Sequence, residues 1–357
     1  MCLGNETHIL PRRVSEGTFS VPRLPAWLDF LKVPAVTYER GTSVAPQLLL
    51  GPPGMLRQHT IRKAMSLEGI GLHSGKPVRL VLSPAPSDSG IVFRIGSERI
   101  TAAPESVVDS HYATTIGRNG TRIQTVEHLM AATAGLGIDN LEVEVDGTEI
   151  PAVDGSAKPF VALLMSAGRA QQSARRRPID IPHPIRVGSG ARWIHIEPSS
   201  TFRISYTLDN DHPAIGTQVL SCTPTEESFI EEYAPARTYG FLKDLGAMRK
   251  HGLALGGSLD NAIVVGKRGT LNGLRYRDEF VRHKILDLIG DLALLGRPMH
   301  GHVIARNAGH ALNFELVVAI QRALGLERRS AAAAAVRVVP AVIDAKDLVP
   351  APGLAAI

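Results

Sequence analysis

One stretch decides the fold: Arg282–His283–Lys284–Ile285–Leu286–Asp287–Leu288–Ile289–Gly290–Asp291. His283, Asp287 and Asp291 are four residues apart, so on a helix they share one face. The other positions are mostly Ile and Leu, which is typical of a buried helix. Burying an imidazole with two carboxylates is unfavourable unless a partner satisfies them. A divalent metal ion would do so; a solvated polar face is the alternative.

A second segment, Thr125–Val126–Glu127–His128–Leu129, supplies what such a metal site would still need. Neighbours on a helix differ by about 100° in direction, so Glu127 and His128 can approach one point from two sides. Three protein ligands and one open position for water are what a catalytic zinc requires. The alternative is an ordinary polar first turn, in which a glutamate is favourable near the helix N-terminus.

Four further residues are candidates for chemistry near this site. His310 follows Gly309 at a predicted strand-to-helix turn, and a histidine there can protonate a leaving amine because it titrates near neutrality; a capping or core histidine is the alternative. Lys284 is adjacent to a predicted metal ligand and could stabilise an oxyanion. Thr238 offers a hydroxyl group, but nothing in the neighbouring sequence shows that it faces the site. Asp291 is better placed to orient another group than to bind metal.

The composition limits the classes of protein. The 357 residues suffice for two domains, and no run approaches the roughly 18–20 apolar residues of a membrane-spanning helix. The two cysteines, Cys2 and Cys222, predict no disulfide framework and favour a reducing compartment. The net charge of +5 comes from scattered basic residues, so we expect no nucleic-acid partner, while a phosphorylated substrate is compatible.

Four parts are predicted along the chain. Residues 1–57 are rich in Pro and Gly without a sustained period, and we expect a poorly ordered extension, with Met55 as an alternative start. Residues 58–177 and 178–326 are predicted as two domains, and residues 327–357 as a loosely ordered tail. The boundary falls in the polar, Pro-rich residues 171–184, where Arg175–Arg176–Arg177 is interpreted as a solvated linker.

Each predicted domain contains strands and helices in a similar order. Helices are predicted at 126–134, started by Thr125, and at 160–169, 279–295 and near 313–324; strands are predicted at 78–82, 91–94, 141–145, 193–196, 203–208, 262–265 and 301–306. In both halves a His near a helix start precedes a helix that ends at Gly, and then a strand. The pattern indicates a duplicated α+β unit with the site between the copies.

Seven motifs, in order, closely resemble the UDP-3-O-acyl-N-acetylglucosamine deacetylases of bacterial lipid A synthesis. They are GIGLHSG at 69–75, TVEHL at 125–129, GLGIDN at 135–140, DGSA at 154–157, ARTYGF at 236–241, FVRHK at 280–284 and GHALN at 309–313. The resemblance extends from about residue 58 to 324. It covers neither the N-terminal extension nor the tail.

The resemblance implies a fold and a set of roles. The fold would be α+β, with two similar βααβ-type domains (a duplicated unit, ribosomal S5 domain 2-like), each with a small insert, and an active site at their junction. It implies one Zn²⁺ per chain and assigns the following residues: His128, His283 and Asp287 as zinc ligands, Glu127 as general base, His310 as general acid oriented by Asp291, and Thr238 and Lys284 as stabilisers of the oxyanion.

The resemblance also implies substrate contacts. These residues are Tyr239, Tyr206, Gly309, Leu72 and His73, and an insert at 242–258 would border an apolar passage for an acyl chain. Residues 306–308, Arg-Asn-Ala, differ from the Lys-Ser that is usual in the family before Gly309, so no direct diphosphate contact is predicted from this loop.

The implied activity is zinc-dependent hydrolysis of the acetamide of UDP-3-O-acyl-N-acetylglucosamine to the free amine and acetate, the committed step of lipid A synthesis. We expect a cytoplasmic monomer that contacts the inner membrane surface transiently. The alternative enzyme is a zinc amidohydrolase of another N-acetylated substrate on the same fold. A non-catalytic binding protein on this fold would be expected to lack Glu127 or His310, and both are present.

Overall fold

The computed structural model describes residues 57–326. The predicted N-terminal extension, apart from Arg57, and the predicted tail at 327–357 therefore lie outside the described residues. The division into domains at 58–177 and 178–326 stays a prediction.

The first part of the described chain contains ten strands and two helices, and the strands alternate buried and exposed side chains wherever one face is covered. The strands are β1 Arg57–Ile61, β2 Met65–Ile70, β3 Pro77–Pro84, β4 Ile91–Ile95, β5 Glu98–Thr101, β6 Val107–Asp109, β7 Thr115–Arg118, β8 Thr121–Ile123, β9 Leu141–Val145 and β10 Arg169–Arg175; the helices are α1 Glu127–Gly135 and α2 Lys158–Ala167.

The second part contains eight strands and four helices. The strands are β11 Ile179–Asp180, β12 Ile185–Ser189, β13 Arg192–Glu197, β14 Phe202–Asp209, β15 Thr217–Cys222, β16 Tyr239–Phe241, β17 Ile263–Val265 and β18 Met299–Arg306; the helices are α3 Glu226–Ser228, α4 Leu245–Lys250, α5 Glu279–Leu292 and α6 His310–Ala323. A π-helical turn, Phe229–Tyr233, follows α3, and 3-10 turns lie at Pro104–Ser106 and Ala293–Leu295.

The two main sheets share one strand order. The first is β2-β3-β9-β4-β5 and the second is β12-β13-β18-β14-β15, with β11 pairing to β18. In each sheet the last strand in sequence lies in the centre, antiparallel to the second strand and parallel to the third. The mixed helix and sheet content with several sheets confirms the predicted α+β class.

The stretch 171–184, where the domain boundary is predicted, begins inside a strand. Residues 169–175 form β10, which pairs antiparallel with β1 and places Gln171 opposite His59. The interpretation of Arg175–Arg177 as a solvated linker fits Arg175 and Arg177, which are exposed, but not Arg176, whose guanidinium lies 2.7 Å from the carboxylate of Asp139 and is nearly buried. A polar edge strand resembles a loop in its sequence, because one face and one edge of the strand remain exposed and carry polar residues.

Helix α5 is the centre of the described structure. Thirteen of its fourteen residues are buried, all except Arg282, so the buried helix predicted from its Ile and Leu pattern is confirmed. Its Gly290 meets the backbone of α1: a Cβ added there would lie 2.1 Å from the carbonyl oxygen of Glu127. The absence of a side chain at Gly290 thus allows the first turn of α1 to lie directly on α5.

Replacing Gly290 by Ala should therefore separate the two helices. We expect the free energy of unfolding to fall by about 1–3 kcal/mol, as for other overpacked cores, measured by urea denaturation. Gly246→Ala in α4 is the matched control, because its added Cβ would meet nothing within 4 Å and alanine favours helix. Equal stability of Gly290→Ala and the wild type would contradict the backbone contact.

Candidate functional site

Three helices bring the predicted site residues together. The first turn of α1 carries Glu127 and His128, α5 carries His283, Lys284, Asp287 and Asp291, and α6 begins at His310. All seven are buried. The sequence pattern that predicted a shared face on α5 is therefore matched by a shared location in space.

The start of α1 differs from the prediction. Thr125 does not cap the helix, because the residue before α1 is Val126 and no side chain caps it. Thr125 instead has a left-handed backbone, with φ of 63°. Its hydroxyl donates a hydrogen bond to Oε1 of Glu149 at 3.3 Å, which ties the turn before α1 to a neighbouring loop.

Three potential ligand atoms converge at the predicted metal site. Oδ1 of Asp287 lies 3.3 Å from Nε2 of His283 and 3.5 Å from Nε2 of His128, and the three residues can place one ligand atom each within 4.8 Å of one another. Ligands about 2.1 Å from a tetrahedral zinc are about 3.4 Å apart. The spacing therefore suits a zinc ion.

The chemistry of these atoms also suits a cation. Nδ1 of His283 lies 3.0 Å from the carbonyl of Ala236, so it carries the proton and leaves Nε2 as an acceptor. Burial lowers the pKa of His283 to about 3 although Asp287 opposes this, so the imidazole is neutral. Oδ1 of Asp287 has no hydrogen-bond partner within residues 57–326. A buried carboxylate oxygen facing an imidazole acceptor at this distance would be stabilised by a positive ion between them.

The carboxylate of Asp287 also meets a buried lysine. Nζ of Lys284 donates to its Oδ2 at 3.2 Å. Burial alone would raise the pKa of Asp287, but His283 and Lys284 hold this pKa well below its usual range. Burial lowers the pKa of Lys284, but Asp287 more than reverses this. Both groups are therefore charged, one oxygen facing the ammonium and the other the histidines.

Asp291 orients His310, as the sequence predicted it would orient some neighbouring group. Its Oδ2 lies 2.8 Å from Nδ1 of His310 and accepts a hydrogen bond from Asn313 at 2.8 Å, while its Oδ1 accepts one from the hydroxyl of Thr114 at 2.6 Å. Burial alone lowers the pKa of His310, but the Asp291 carboxylate raises it to about 9. His310 is thus protonated near neutral pH, with Nε2 directed away from Asp291.

Glu127 lies between the imidazoles and a backbone donor. Its Oε2 accepts a hydrogen bond from the amide of Thr114 at 3.0 Å, and its Oε1 lies 3.9 Å from Nε2 of His310. Burial raises the pKa of Glu127, and the nearby His310 and His128 oppose this. A buried carboxylate with one oxygen unengaged by backbone is suited to accept a proton.

The site residues enclose a small cavity of about 20 Å³, sufficient for one water-sized group. It is lined by Leu72, His73, Tyr112, Thr125, Glu127, His128, Thr238, His283, Asp287 and His310. The structure thus brings Thr238, Leu72 and His73 to the predicted metal ligands.

Three predicted substrate residues are buried outside this lining. The ring of Tyr239 packs edge-on against Phe280 at 4.9 Å and lies 5.6 Å from Nζ of Lys284. Tyr206 is 1% exposed, and its hydroxyl donates to the carbonyl of Ala308. Gly309, also outside the lining, directly precedes α6. Their contacts with substrate stay predictions.

None of the helices formed by residues 57–326 is both long enough and apolar enough to cross a membrane.

Comparison with known proteins identifies the family. The model of the UDP-3-O-acyl N-acetylglycosamine deacetylase family matches residues 58–322. The chain belongs to this family. The resemblance inferred from the seven motifs is confirmed.

Curated relatives in this deacetylase family cover most of the chain. The UDP-3-O-acyl-N-acetylglucosamine deacetylase of Oleidesulfovibrio alaskensis is 50% identical over 264 residues, which are 72% of this chain and 87% of the relative. The protein of the same name from Myxococcus xanthus is 51% identical over 271 residues, 74% of this chain and 86% of the relative. That from Acidithiobacillus ferrooxidans is 49% identical over 274 residues, 74% and 90%.

No sequence pattern pointed to the buried carboxylate of Glu149. Its Oε1 accepts a hydrogen bond from the amide of His73, and its Oε2 accepts one from the amide of Ser74, both at 2.8 Å. It occupies the space beside Gly71, where a Cβ would lie 2.2 Å from its Oε2. Glu149 therefore fixes the loop that carries His73, together with Thr125. Glu149 follows a turn at Asp146–Gly147, and nothing local to that position predicts its contact with the distant loop.

Thr114 and the pair of Arg237 and Glu279 were also missed. The amide of Thr114 donates to Glu127, and its hydroxyl donates to Asp291, which lies 177 residues further along the chain. Nε of Arg237 donates to Oε1 of Glu279 at 2.9 Å, and this buried pair holds the segment that contains Thr238. Glu279 begins α5, and its position at the start of a predicted helix does not indicate a partner 42 residues away.

Asp291→Asn should lower the pKa of His310 well below 9, because the carboxylate is what raises it. Since that pKa exceeds the value of about 6.5 in an unfolded chain, the pair stabilises the fold fully below about pH 6.5, and the contribution is lost as pH rises through about 9. The variant should therefore be less stable than the wild type below pH 6.5, with the difference shrinking towards pH 9.

The measurement is NMR titration of the His310 imidazole, with denaturation at several pH values. Asp180→Asn is the control, because Asp180 contacts the imidazole of His300 at 2.6 Å and is remote from His310. An unchanged His310 pKa in Asp291→Asn would contradict the assigned pairing.

Proposed function

We propose that this chain hydrolyses the acetamide of UDP-3-O-acyl-N-acetylglucosamine to UDP-3-O-acyl-glucosamine and acetate, the committed step of lipid A biosynthesis. The observation that carries the proposal is the convergence of His128, His283 and Asp287 beside Glu127 and His310 in a chain of the deacetylase family.

His128, His283 and Asp287 would hold one zinc ion. When bound, zinc lowers the pKa of water towards 7 and polarises a carbonyl oxygen. The neutral His283 and the ionised Asp287 are in the protonation states that metal ligands need. Binding would therefore require no proton release from these two groups near neutral pH.

Glu127 would act as the general base. It takes the proton from the attacking water on its Oε1, while Oε2 is held by the amide of Thr114. Burial raises the pKa of this carboxyl, and a base with a raised pKa is closer to the pH at which it works.

Lys284 and Thr238 would stabilise the negative oxygen that develops as the amide carbonyl becomes tetrahedral. Lys284 is charged and almost completely buried, so its field is little screened. Thr238 lines the cavity, and its backbone is fixed because its amide donates to the carbonyl of Gly155 at 2.8 Å. Donors fixed before reaction stabilise a transition state without reorganisation.

His310 would donate the proton to the departing amine. Nδ1 is engaged by Asp291, so the acidic proton on Nε2 faces the cavity, 3.9 Å from both Glu127 and Asp287. The raised pKa keeps this proton available near neutral pH. Proton removal by Glu127 and proton donation by His310 together complete the cleavage to amine and acetate.

The substrate would be held by residues around the cavity. We propose that Leu72 and His73 contact it from one loop, Tyr239 lies near the sugar and Gly309 lets it approach α6. Tyr206 would take part in substrate binding by supporting the segment before α6, because its hydroxyl donates to the carbonyl of Ala308. The insert at 242–258 would border the acyl chain.

The shared strand order of the two main sheets supports a duplicated βααβ-type unit, with domains at 58–177 and 178–326 and the site between them. We further propose that the protein works in the cytoplasm as a monomer, consistent with the reducing environment that its two cysteines favour.

Glu127→Ala should lower turnover by about 100-fold or more and leave zinc bound, because Glu127 is not among the three ligands. Amine release from the UDP-sugar substrate and metal content by atomic absorption would be measured on the same sample. His128→Ala is the comparison and should lose both zinc and activity. Full turnover in Glu127→Ala would overturn its role as base.

Chelation should abolish amine release, and added zinc should restore it, since the ligand set is expected to hold one exchangeable ion. Activity that survives complete metal removal would contradict the zinc assignment. A folded, zinc-loaded protein that does not act on this UDP-sugar would direct attention to other N-acetylated substrates on the same fold.

A further inference from the structure

Exposed apolar side chains cluster on one part of the described surface. Nine large hydrophobic side chains are exposed in residues 57–326. Six of them lie at the end of β2 or between β16 and α5, and we call these six the leucine rim: Ile70, Leu242, Leu255, Leu259, Leu271 and Leu274. The other three, Val108, Met165 and Val219, lie in other elements. Clusters of exposed apolar residues mark interaction sites, whereas single ones do not.

Backbone contacts place members of the leucine rim beside one another in two groups. Ile70 lies against Gly256, the neighbour of Leu255 in the chain, since a Cβ added at Gly256 would lie 3.1 Å from the Ile70 side chain. The backbone of Leu271 donates to Val264, and that of Leu242 donates to Val265, so both adjoin β17.

The leucine rim borders the catalytic cavity. The amide of Leu255 donates to the carbonyl of His73 at 3.1 Å, and that of Gly256 donates to the carbonyl of Leu72 at 3.0 Å. Leu72 and His73 both line the cavity. A surface that covered the rim would therefore lie beside the site of chemistry.

The segment 242–277, which carries five of the six rim residues, is strongly basic. Residues 242–277 contain seven Lys or Arg and two Asp, a net charge of +5 that equals the net charge of the whole chain. All seven basic residues are exposed. Arg275 pairs with Asp154 at 2.9 Å; within residues 57–326, the other six have no ion pair, namely Lys243, Arg249, Lys250, Lys267, Arg268 and Arg277.

We propose that the leucine rim is a docking surface for an anionic lipid bilayer. Exposed leucines among unpaired lysines and arginines combine the two forces by which peripheral proteins bind membranes: insertion of apolar side chains and attraction to acidic headgroups. A nucleic-acid partner would favour free aromatic residues among the cations, but Tyr276, the single Phe, Tyr or Trp of residues 242–277, is bound through its hydroxyl to the carbonyl of Glu231.

Docking would present the cavity to the headgroup layer. In its consequence for catalysis the inference rests on the proposed function: a substrate that carries one acyl chain binds a bilayer weakly and reversibly, and the rim would give it a short path from the bilayer surface into the site. The transient membrane contact expected from the sequence would then have a defined surface.

The test is flotation of the zinc-loaded full chain with vesicles of phosphatidylcholine alone and of phosphatidylcholine mixed with phosphatidylglycerol. Two double variants act outside the predicted acyl passage and are called the rim variants: Leu259→Glu with Leu271→Glu changes the rim itself, and Lys267→Glu with Arg268→Glu changes the basic residues beside it. Val108→Glu with Val219→Glu is the matched control, because these residues are equally exposed but lie elsewhere.

We expect the wild type and the control to bind the acidic vesicles only, and each rim variant to bind on the order of tenfold or more weakly, with binding by the wild type decreasing at high salt. Absence of vesicle binding, or equal loss in the control, would overturn the proposal. So would concentration-dependent dimerisation without vesicles that Leu271→Glu abolishes, since the rim would then bind a second copy.

A deacetylation assay with a short-acyl substrate in detergent-free solution separates this proposal from the proposed function. We expect the rim variants to retain wild-type turnover there. Normal turnover without vesicle binding would overturn the docking surface alone. Vesicle binding without zinc-dependent turnover would overturn the proposed function alone.

Discussion

The site depends on how closely two helices approach. The first turn of α1 lies against α5 because Gly290 has no side chain to hold the backbone of Glu127 away. This contact brings His128 to Asp287 and His283, and it places the carboxylate of Glu127 beside His310. Ligand distances in a metal site tolerate errors of only a few tenths of an ångström. A helix contact made by backbone atoms is less variable than one made by flexible side chains.

Around that contact the charges are arranged so that each buried ion has a partner. Asp287 faces Lys284, and Asp291 faces His310. Burying such pairs contributes little net stability, because desolvation offsets the attraction. The arrangement is better explained by chemistry: two neighbouring carboxylates keep two cations charged in an apolar interior, and a third carboxylate, Glu127, is left with a raised pKa. Different environments thus give similar side chains different pKa values, which is what the proposed division of acid and base roles needs.

The sequence predicted what depends on local periodicity. The four-residue spacing on α5 placed His283, Asp287 and Asp291 correctly because a helix fixes the direction of every side chain. Contacts between distant segments could not be predicted. Thr114, Glu149 and the pairing of β10 with β1 depend on which loop or edge meets which, and neither hydropathy nor spacing specifies that. Thr125 was mistaken for a cap because its side chain suits that position, while its left-handed backbone has no signature in a β-branched residue.

Thr125 has one more consequence. A β-branched residue at φ of 63° costs on the order of 1–3 kcal/mol, and here that strain lies between the first turn of α1 and the carboxylate of Glu149. A glycine would adopt the same backbone without strain, but it would have no hydroxyl to bind Glu149 and would have a wider range of conformations. Thr125 thus combines a strained backbone with a hydrogen bond that holds the turn before α1. Thermal stability and the rigidity of this turn are in opposition at a single residue, so a substitution that relieves the strain to raise the melting temperature would also loosen the segment that leads into the proposed site.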